Sequence, residues 1–290
     1  MAPGTLAVVA TPLGDARDLS PRAAETLRAA DLIVAEDTRS ARRLLAEIGA
    51  GRKTILSCFD ANEAARAAEV AEQLGAGATV ALISEAGTPL VSDPGYRIVV
   101  AAIAAGARVV PIPGPSALLA ALVGAGLPTD RFLFLGFPPR KSGARRRLFE
   151  GVRSLPYTLV LYESPLRAGA TLADLAAVLG ADRRACLARE LTKPYEELVR
   201  DGLAALAARY ATDRPLGEVT LVVEGAPENA AAEELDDDEL RARAAELTAA
   251  GRSTGDAARA LAEITGRPRR EIYNLISRGN PSPRDENDAG

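Results

Sequence analysis

The side chains able to do chemistry fall just after short apolar runs. Thr11-Pro12-Leu13-Gly14-Asp15 follows the first run, Glu36-Asp37-Thr38-Arg39 the second and Cys58-Phe59-Asp60-Ala61-Asn62-Glu63 the third. The fourth leads into the twelve residues Ser84–Gly95 and the fifth into Pro113-Gly114-Pro115-Ser116. Later runs lead into Tyr162-Glu163-Ser164 and Ala188-Arg189-Glu190-Leu191-Thr192-Lys193. Glu163, Arg189, Glu190 and Lys193 are therefore ionisable groups at strand ends, available for proton handling or for structural ion pairs. The chain has no histidine, which excludes Ser-His-Asp triads, Cys-His pairs and histidine-ligated metals. Its two cysteines, Cys58 and Cys186, stand far apart, so neither a disulfide scaffold nor a cysteine zinc site is expected.

The elements that must position these loops alternate. Strands are expected at Leu6–Ala10, Leu32–Ala35, Thr54–Ser57, Val80–Ser84, Val109–Ile112, Phe132–Gly136, Thr158–Tyr162, Ala185–Ala188 and Val219–Val223. Helical spacing lies between most of them, at Pro21–Ala30, Ala41–Ile48, Glu63–Leu74, Tyr96–Ala105 and Leu166–Leu179. Strand-helix alternation argues for parallel α/β layers. Nine strands are many for one open sheet, so two α/β lobes are expected, 1–115 and 116–225. An acidic linker follows over 226–238, with seven acids and no basic residue from 226 to 239. Three short helical patterns, Leu240–Ala250, Thr254–Ile264 and Pro268–Arg278, suggest a helix-turn-helix-like module over 239–280, then a polar tail over 281–290.

Composition narrows the classes. At 290 residues, 48% hydrophobic and 26% charged, the chain reads as globular. No apolar stretch reaches the ~18 residues of a membrane span, and no secretory signal is visible, so a reducing cytosol is expected. The net charge of −4 excludes a uniformly basic nucleic-acid binder, leaving any polyanion site to a local patch. Such a patch is offered by Arg140, Lys141, Arg145, Arg146 and Arg147, five cations in one loop and helix start. Cations are disfavoured at a helix N-terminus unless an anion lies nearby, so the alternatives are an RNA phosphate or a solvated face.

In open α/β lobes, ligands bind at the carboxyl ends of strands. Gly, Pro, Asp and Ser there are also ordinary punctuation and helix caps. The Ser84–Gly95 loop exceeds that need, because its two Gly, two Pro, two Ser, a Thr, a Glu and an Asp are more than a strand-to-helix turn requires, and such a loop exposes backbone N–H and C=O groups to a ligand. GxGxxG after a strand and GxxxxGK[ST] are both absent, which removes the ordinary dinucleotide and P-loop fingerprints.

In combination these loops resemble the tetrapyrrole-methylase-like superfamily of S-adenosylmethionine-dependent methyltransferases. Within it the chain is similar to the ribosomal RNA small subunit methyltransferase I family, which 2′-O-methylates cytidine-1402 of 16S rRNA. The matching stretches are Ala10–Asp15, Glu36–Arg39, Asn62-Glu63, Ser84–Gly95, Pro113–Ser116, Asp130–Phe132, Gly136-Phe137, Tyr162–Ser164, Ala188–Lys193 and Gly217-Glu218, in one order across residues 5–224. The family usually has Asp at Glu85 and a polar residue at Ala61.

The resemblance implies a homodimer of two-lobed chains with S-adenosylmethionine in the cleft between the lobes. The implied cofactor contacts are Pro12, Ser84, Glu85, Ala86, Gly87, Thr88 and Pro89 in the first lobe. Pro113, Gly114, Pro115, Ser116, Tyr162, Ala188 and Glu218 complete them. A ribose hydroxyl is a poor nucleophile, so a base or charge stabiliser helps. The candidates are Lys193, Glu190, Glu163 and Asp37, with Lys193 expected as a lysine lowered by burial. Arg39, Asn62, Arg140, Lys141, Arg145 and Arg147 would hold RNA, with Arg269 and Arg270 in the helical module, where eight arginines face four acids from 241 to 278. The implied partner is 16S rRNA or the small ribosomal subunit, in the cytoplasm, with no membrane and no metal. A small-molecule tetrapyrrole methylase and a non-catalytic RNA-binding assembly factor are the rivals.

Overall fold

The computed structural model describes residues 4–227 and 235–277, apart from the side chain of Glu263. Residues 228–234 of the expected linker, Arg278 and the expected tail lie outside the described residues.

The first lobe runs β1 (Thr5–Val9), α1 (Pro21–Ala29), β2 (Leu32–Ala35), α2 (Thr38–Glu47), β3 (Thr54–Ser57), α3 (Glu63–Gly75), β4 (Thr79–Ile83), α4 (Tyr96–Ala104) and β5 (Arg108–Ile112). The five strands are parallel, in the order β3-β2-β4-β1-β5. Strand side chains alternate between faces, and here both faces are apolar, so both must be covered. Ala7 and Val9 enter a core with Leu27 of α1 and Leu45 of α2. Leu6 enters the opposite core with Val70 and Leu74 of α3 and Ile98 of α4. Local signals set the helix starts. The Ser20 hydroxyl accepts from Ala23 N at 3.1 Å ahead of Pro21, and Asp37 caps α2.

Strand order reverses between β1 and β4. The chain leaves β1 toward β2 and β3, but leaves β4 toward β5. The carboxyl ends of β1 and β4 therefore open a crevice between diverging loops.

The second lobe runs α5 (Ala117–Gly124), β6 (Phe132–Phe134), α6 (Ser142–Glu150), β7 (Thr158–Glu163), α7 (Ala168–Leu179), β8 (Arg184–Arg189), β9 (Glu197–Gly202), α8 (Leu203–Thr212) and β10 (Val219–Val223). Its sheet, β6-β7-β10-β8-β9, is mixed and not parallel as the alternation suggested. Only β6 and β7 run parallel, while β10 is antiparallel to both neighbours and β9 to β8. The cause is β9, a strand that returns from β8 through a short turn and not through a helix. Ala121 and Leu122 of α5 pack with Val160, Cys186, Ala188 and Val222 on one face of this sheet.

Both sheets belong to one compact unit, and Gly151–Pro156 with the described residues from Gly225 onward to another. The second unit holds α9 (Asp237–Ala249), α10 (Thr254–Thr265) and α11 (Arg269–Ser277). Asp236 and Glu239 form a capping box that starts α9 three residues before the first apolar position, Leu240. Leu240, Ala257, Leu261 and Ile272 form this unit's core.

Candidate active site

Two loops of the first lobe are stitched at the β1/β4 crevice. Thr11 N donates to Gly87 O at 2.8 Å and Gly87 N to Thr11 O at 3.0 Å. The buried Ser84 donates its hydroxyl to Gly87 O at 3.1 Å, and the Thr88 hydroxyl donates to Pro115 O at 2.9 Å. The loop after β4 is thereby tied to those after β1 and β5. Leu90 and Ser92, within it, hold φ of 72° and 67°, the left-handed region that L side chains rarely adopt.

The second lobe brings a charged cluster to the same place. Lys193 Nζ donates to Glu190 Oε1 at 3.0 Å and to Glu218 Oε2 at 3.2 Å. Glu218 N also donates to Glu190 Oε1, at 3.2 Å, and Glu190 N to Glu218 O at 3.1 Å. Glu190 and Thr192 again have positive φ, 49° and 63°. Two glycines make room: a Cβ at Gly217 would fall on the Glu190 carboxylate, and one at Gly14 on Lys193 Cγ. Asp15 N donates to Thr192 Oγ1 at 3.2 Å, so the β1 loop of one lobe is bonded to the β8 loop of the other.

Between these loops lie two adjoining cavities. The larger, about 690 Å³, is bounded by Pro12, Ser84 and Glu85 on one side, Arg43 of α2 on another, and Glu190, Lys193 and Tyr195 on a third. The smaller, about 290 Å³, is bounded by Gly87, Thr88, Ser92, Asp93 and Tyr162. Leu13, Ala86 and Glu218 line both. The Tyr162 hydroxyl accepts from Leu118 N at 3.1 Å, and its ring packs against Phe134 and Phe137 at 5.0 and 5.6 Å.

Charge is distributed unevenly. Burial pushes the Asp93 carboxyl up to about 6, reinforced by Glu36, Glu85 and Glu218. Burial raises Glu36 as well, with Glu85 and Asp60 adding to it. A wall of mutually repelling carboxylates favours a cationic occupant. Lys193 goes the other way from expectation. Burial alone would lower it, but the hydrogen bond to Glu190 and the charge of Glu218 outweigh burial and raise it. It is an ammonium and not a neutral base. Burial likewise opposes ionisation of Glu190, but Lys193 and Glu218 N hold it below the usual carboxylate range.

The expected residues divide accordingly. Pro12, Ser84, Glu85, Ala86, Gly87, Thr88, Tyr162 and Glu218 line one or both cavities. Pro89, Pro113, Gly114, Pro115 and Ser116 line neither; Pro115 acts through its carbonyl on Thr88. Ala188 is fully buried in the β8 core. Glu163 borders the smaller cavity, yet both its oxygens are committed, to Ser164 N and Arg167 and to the Thr171 hydroxyl at 2.6 Å. It fixes the β7–α7 turn. Asp37 accepts from Arg39 N and Ser40 N, and these backbone bonds hold its carboxyl below the usual range, so it is a helix cap and a poor base. Asn62 is half-buried and closes the turn after β3, accepting from Phe59 N and donating to Ser57 O. Arg145 is corrected too. It is only 4% exposed and ion-pairs with the buried Asp174 of α7, which Arg146 and the Ser142 hydroxyl also reach. The anion that the cation run demanded is internal. Arg39, Arg140, Lys141 and Arg147 remain exposed, as do Arg269 and Arg270 on α11 of the second unit.

Asp93, Arg43 and Tyr195 were not singled out from sequence. Asp93 lay within a loop valued for its backbone, Arg43 one helical turn after Arg39, and Tyr195 two residues past Lys193. Those spacings were the available signals.

Comparison with known proteins agrees with this geometry. The family Tetrapyrrole (Corrin/Porphyrin) Methylases matches residues 5–207. A ribosomal RNA small subunit methyltransferase I from Xylella fastidiosa is 45% identical over 273 residues, covering 93% of this chain and 98% of that protein. One from Mycobacterium tuberculosis is 44% identical over 279 residues, 95% of each. The chain belongs to the ribosomal RNA small subunit methyltransferase I family, within the tetrapyrrole methylases. It is a methyltransferase. Among solved structures, diphthine synthase superposes with a TM-score of 0.61 at 19% identity, covering 94% of this chain and 100% of that one. The methyltransferase CobJ gives 0.59 at 21%, over 80% and 97%. Both share the fold. Among the described residues no helix is long and apolar enough to cross a membrane, and no group of three or more acids or cysteines is placed to hold a metal ion.

Proposed function

We propose that this chain transfers a methyl group from S-adenosylmethionine to the 2′-hydroxyl of cytidine-1402 in the 16S rRNA of the small ribosomal subunit. The observation that carries this is the pair of cavities meeting at Leu13, Ala86 and Glu218, the smaller holding Asp93 and the larger bringing Lys193 and Arg43 among the carboxylates of Glu47, Glu85, Glu190 and Glu218. The residues fit the donor. Asp93, with Glu36 and Glu85 nearby, suits a sulfonium and an ammonium, and the pinned Ala86-Gly87-Thr88 backbone offers polar groups to it. When bound, S-adenosylmethionine supplies a methyl carbon carried on cationic sulfur. The relatives named for small-subunit ribosomal RNA support the acceptor.

The protein's part is alignment and charge. Methyl transfer disperses the donor's charge, so a cleft with little water favours the transition state. Holding hydroxyl and methyl in line supplies much of the rate. The hydroxyl proton passes to a carboxylate, because Lys193 is already an ammonium. Glu218 stands on the wall common to both cavities, and Lys193 and Glu190 hold it there. Arg39, Arg140, Lys141 and Arg147 hold phosphates, and α11 offers Arg269, Arg270, Tyr273 and Asn274 to RNA or the ribosome. The chain acts as a homodimer in the cytoplasm. Tyr96, Val100 and Ile103 along α4, and Leu119 and Val123 on α5, are bare apolar side chains suited to a second copy.

The test is to map 2′-O-methyl marks on small-subunit RNA from cells lacking the protein, and to supply the purified protein with labelled donor and small subunits. Label on a porphyrinoid instead, or no donor binding by calorimetry, overturns the proposal.

A further inference from the structure

Tyr195 is 75% exposed, more than either ring of the smaller cavity, Tyr162 or Phe137. The whole chain has only six tyrosines, five phenylalanines and no tryptophan, so an aromatic left bare at a cavity wall calls for an occupant. Its position is fixed. Thr192 N donates to Glu196 Oε2 at 2.6 Å and Glu196 N to Lys193 O at 3.0 Å, closing the turn on both sides of Tyr195. The ring therefore stands on a rigid base two residues from Lys193. In the same cavity α2 presents Arg43, whose guanidinium is spent on no hydrogen bond or ion pair among the described residues.

We infer that Tyr195 stacks on the base of the acceptor nucleotide while Arg43 holds its phosphate, so that the enzyme takes a nucleotide turned out of its helix. This rests on the rRNA-methylating function proposed above. A base and its 2′-hydroxyl belong to one nucleoside, so the group that grips the base must stand beside the groups that handle the hydroxyl. Tyr195, Lys193, Glu190 and Glu218 all line the 690 Å³ cavity. In an RNA duplex each base face is covered by its neighbours, and only an unstacked base can lie on a tyrosine. Stacking accepts any base, so Tyr195 selects for an extruded nucleotide and not for cytosine.

The assay uses the full-length protein and small subunits purified from cells that lack the modification, with labelled donor. Tyr195→Ala is expected to lower kcat/KM for subunits roughly tenfold to a hundredfold, with donor affinity by calorimetry unchanged. Tyr195→Phe, which keeps the ring, recovers most of the loss, and Arg43→Ala raises KM in a salt-dependent manner. Equal kcat/KM for wild type and Tyr195→Ala overturns the stacking role while leaving the methyl transfer standing. Equal losses in Tyr195→Ala and Tyr195→Phe overturn it too, by assigning the effect to the hydroxyl. If the wild-type protein transfers nothing to these subunits, the function itself falls, and the stacking role with it.

Discussion

Replacing Lys193 by alanine removes an ammonium that two carboxylates share, at 3.0 Å from Glu190 and 3.2 Å from Glu218. A charge-assisted hydrogen bond contributes about 1.5–3 kcal/mol. The Lys193 and Glu190 side chains are 26% and 18% exposed, so the low end of that range applies to their bond. The Glu218 side chain is 72% exposed, and an ion pair that open contributes less than about 1 kcal/mol. Together the two bonds come to about 2 kcal/mol. If they serve to place Glu218 against the acceptor, their loss slows the chemical step roughly 30-fold. The measurement is single-turnover methyl transfer to small subunits, beside calorimetry of donor binding, which should not weaken. Because Lys193 and Glu190 act through one bond, Glu190→Gln and Lys193→Ala should be strongly non-additive. A normal single-turnover rate in Lys193→Ala removes the cluster from the mechanism, whatever happens to stability.

Asp174→Ala leaves Arg145 buried without its counter-ion and should cost about 3–5 kcal/mol in urea unfolding, whereas Arg147→Ala should stay within ~0.5 kcal/mol of wild type. Donor affinity should weaken as pH falls below about 6, because protonating Asp93 removes a negative charge from the smaller cavity, and Asp93→Asn should flatten that profile in calorimetry. The same shift acts on folding. With Asp93 raised from 3.8 to about 6, the native state holds the proton more tightly, so its contribution is fully present below about pH 4 and lost as pH rises toward 6. Gly217→Ala adds a methyl where the Glu190 carboxylate lies and imposes a φ of 79° on an L residue, so single-turnover rates should drop and urea unfolding should show a loss of at least about 1–2 kcal/mol.

What the sequence revealed depended on how local each cause was. The strands β1, β2 and β4 are covered on both faces, so each reads as an unbroken apolar run. β9 escaped because it is an edge strand whose Glu197, Arg200 and Asp201 break the apolar run, and such charges are how an exposed edge resists pairing. α5 escaped for the opposite reason, since Ala117–Gly124 is apolar all round and shows no 3.6-residue period. The loops of the site were legible because their Gly, Pro and Ser punctuation is local. The charges in them were not. Arg145 meets Asp174 across 29 residues of sequence, and Lys193 meets Glu218 across 25. The first pairing turned an expected RNA contact into a core ion pair, and the second joined the nearby Glu190 in raising a lysine expected to be lowered.

Among the described residues, four that are not glycine hold positive φ, and all four lie in two loops. Leu90 and Ser92 follow β4, and Glu190 and Thr192 follow β8. Each such residue costs of order 1–3 kcal/mol and persists only where neighbours over-determine it. The neighbours are here: Ser84, Thr11 and Thr88 pin the first loop, and Asp15 N, Glu196 and Lys193 pin the second. A fold that merely needed to turn at these points would place glycine there, as it does at Gly87 and Gly217. Keeping Glu190 in strained backbone preserves a carboxylate at the wall of the cavity, and keeping Thr192 preserves the hydroxyl that accepts from Asp15 N and ties the two loops. The strain is thus spent on fixing side chains before any substrate arrives. Side chains fixed in advance are what a group transfer resting on alignment requires, and they let this methyltransferase dispense with histidine.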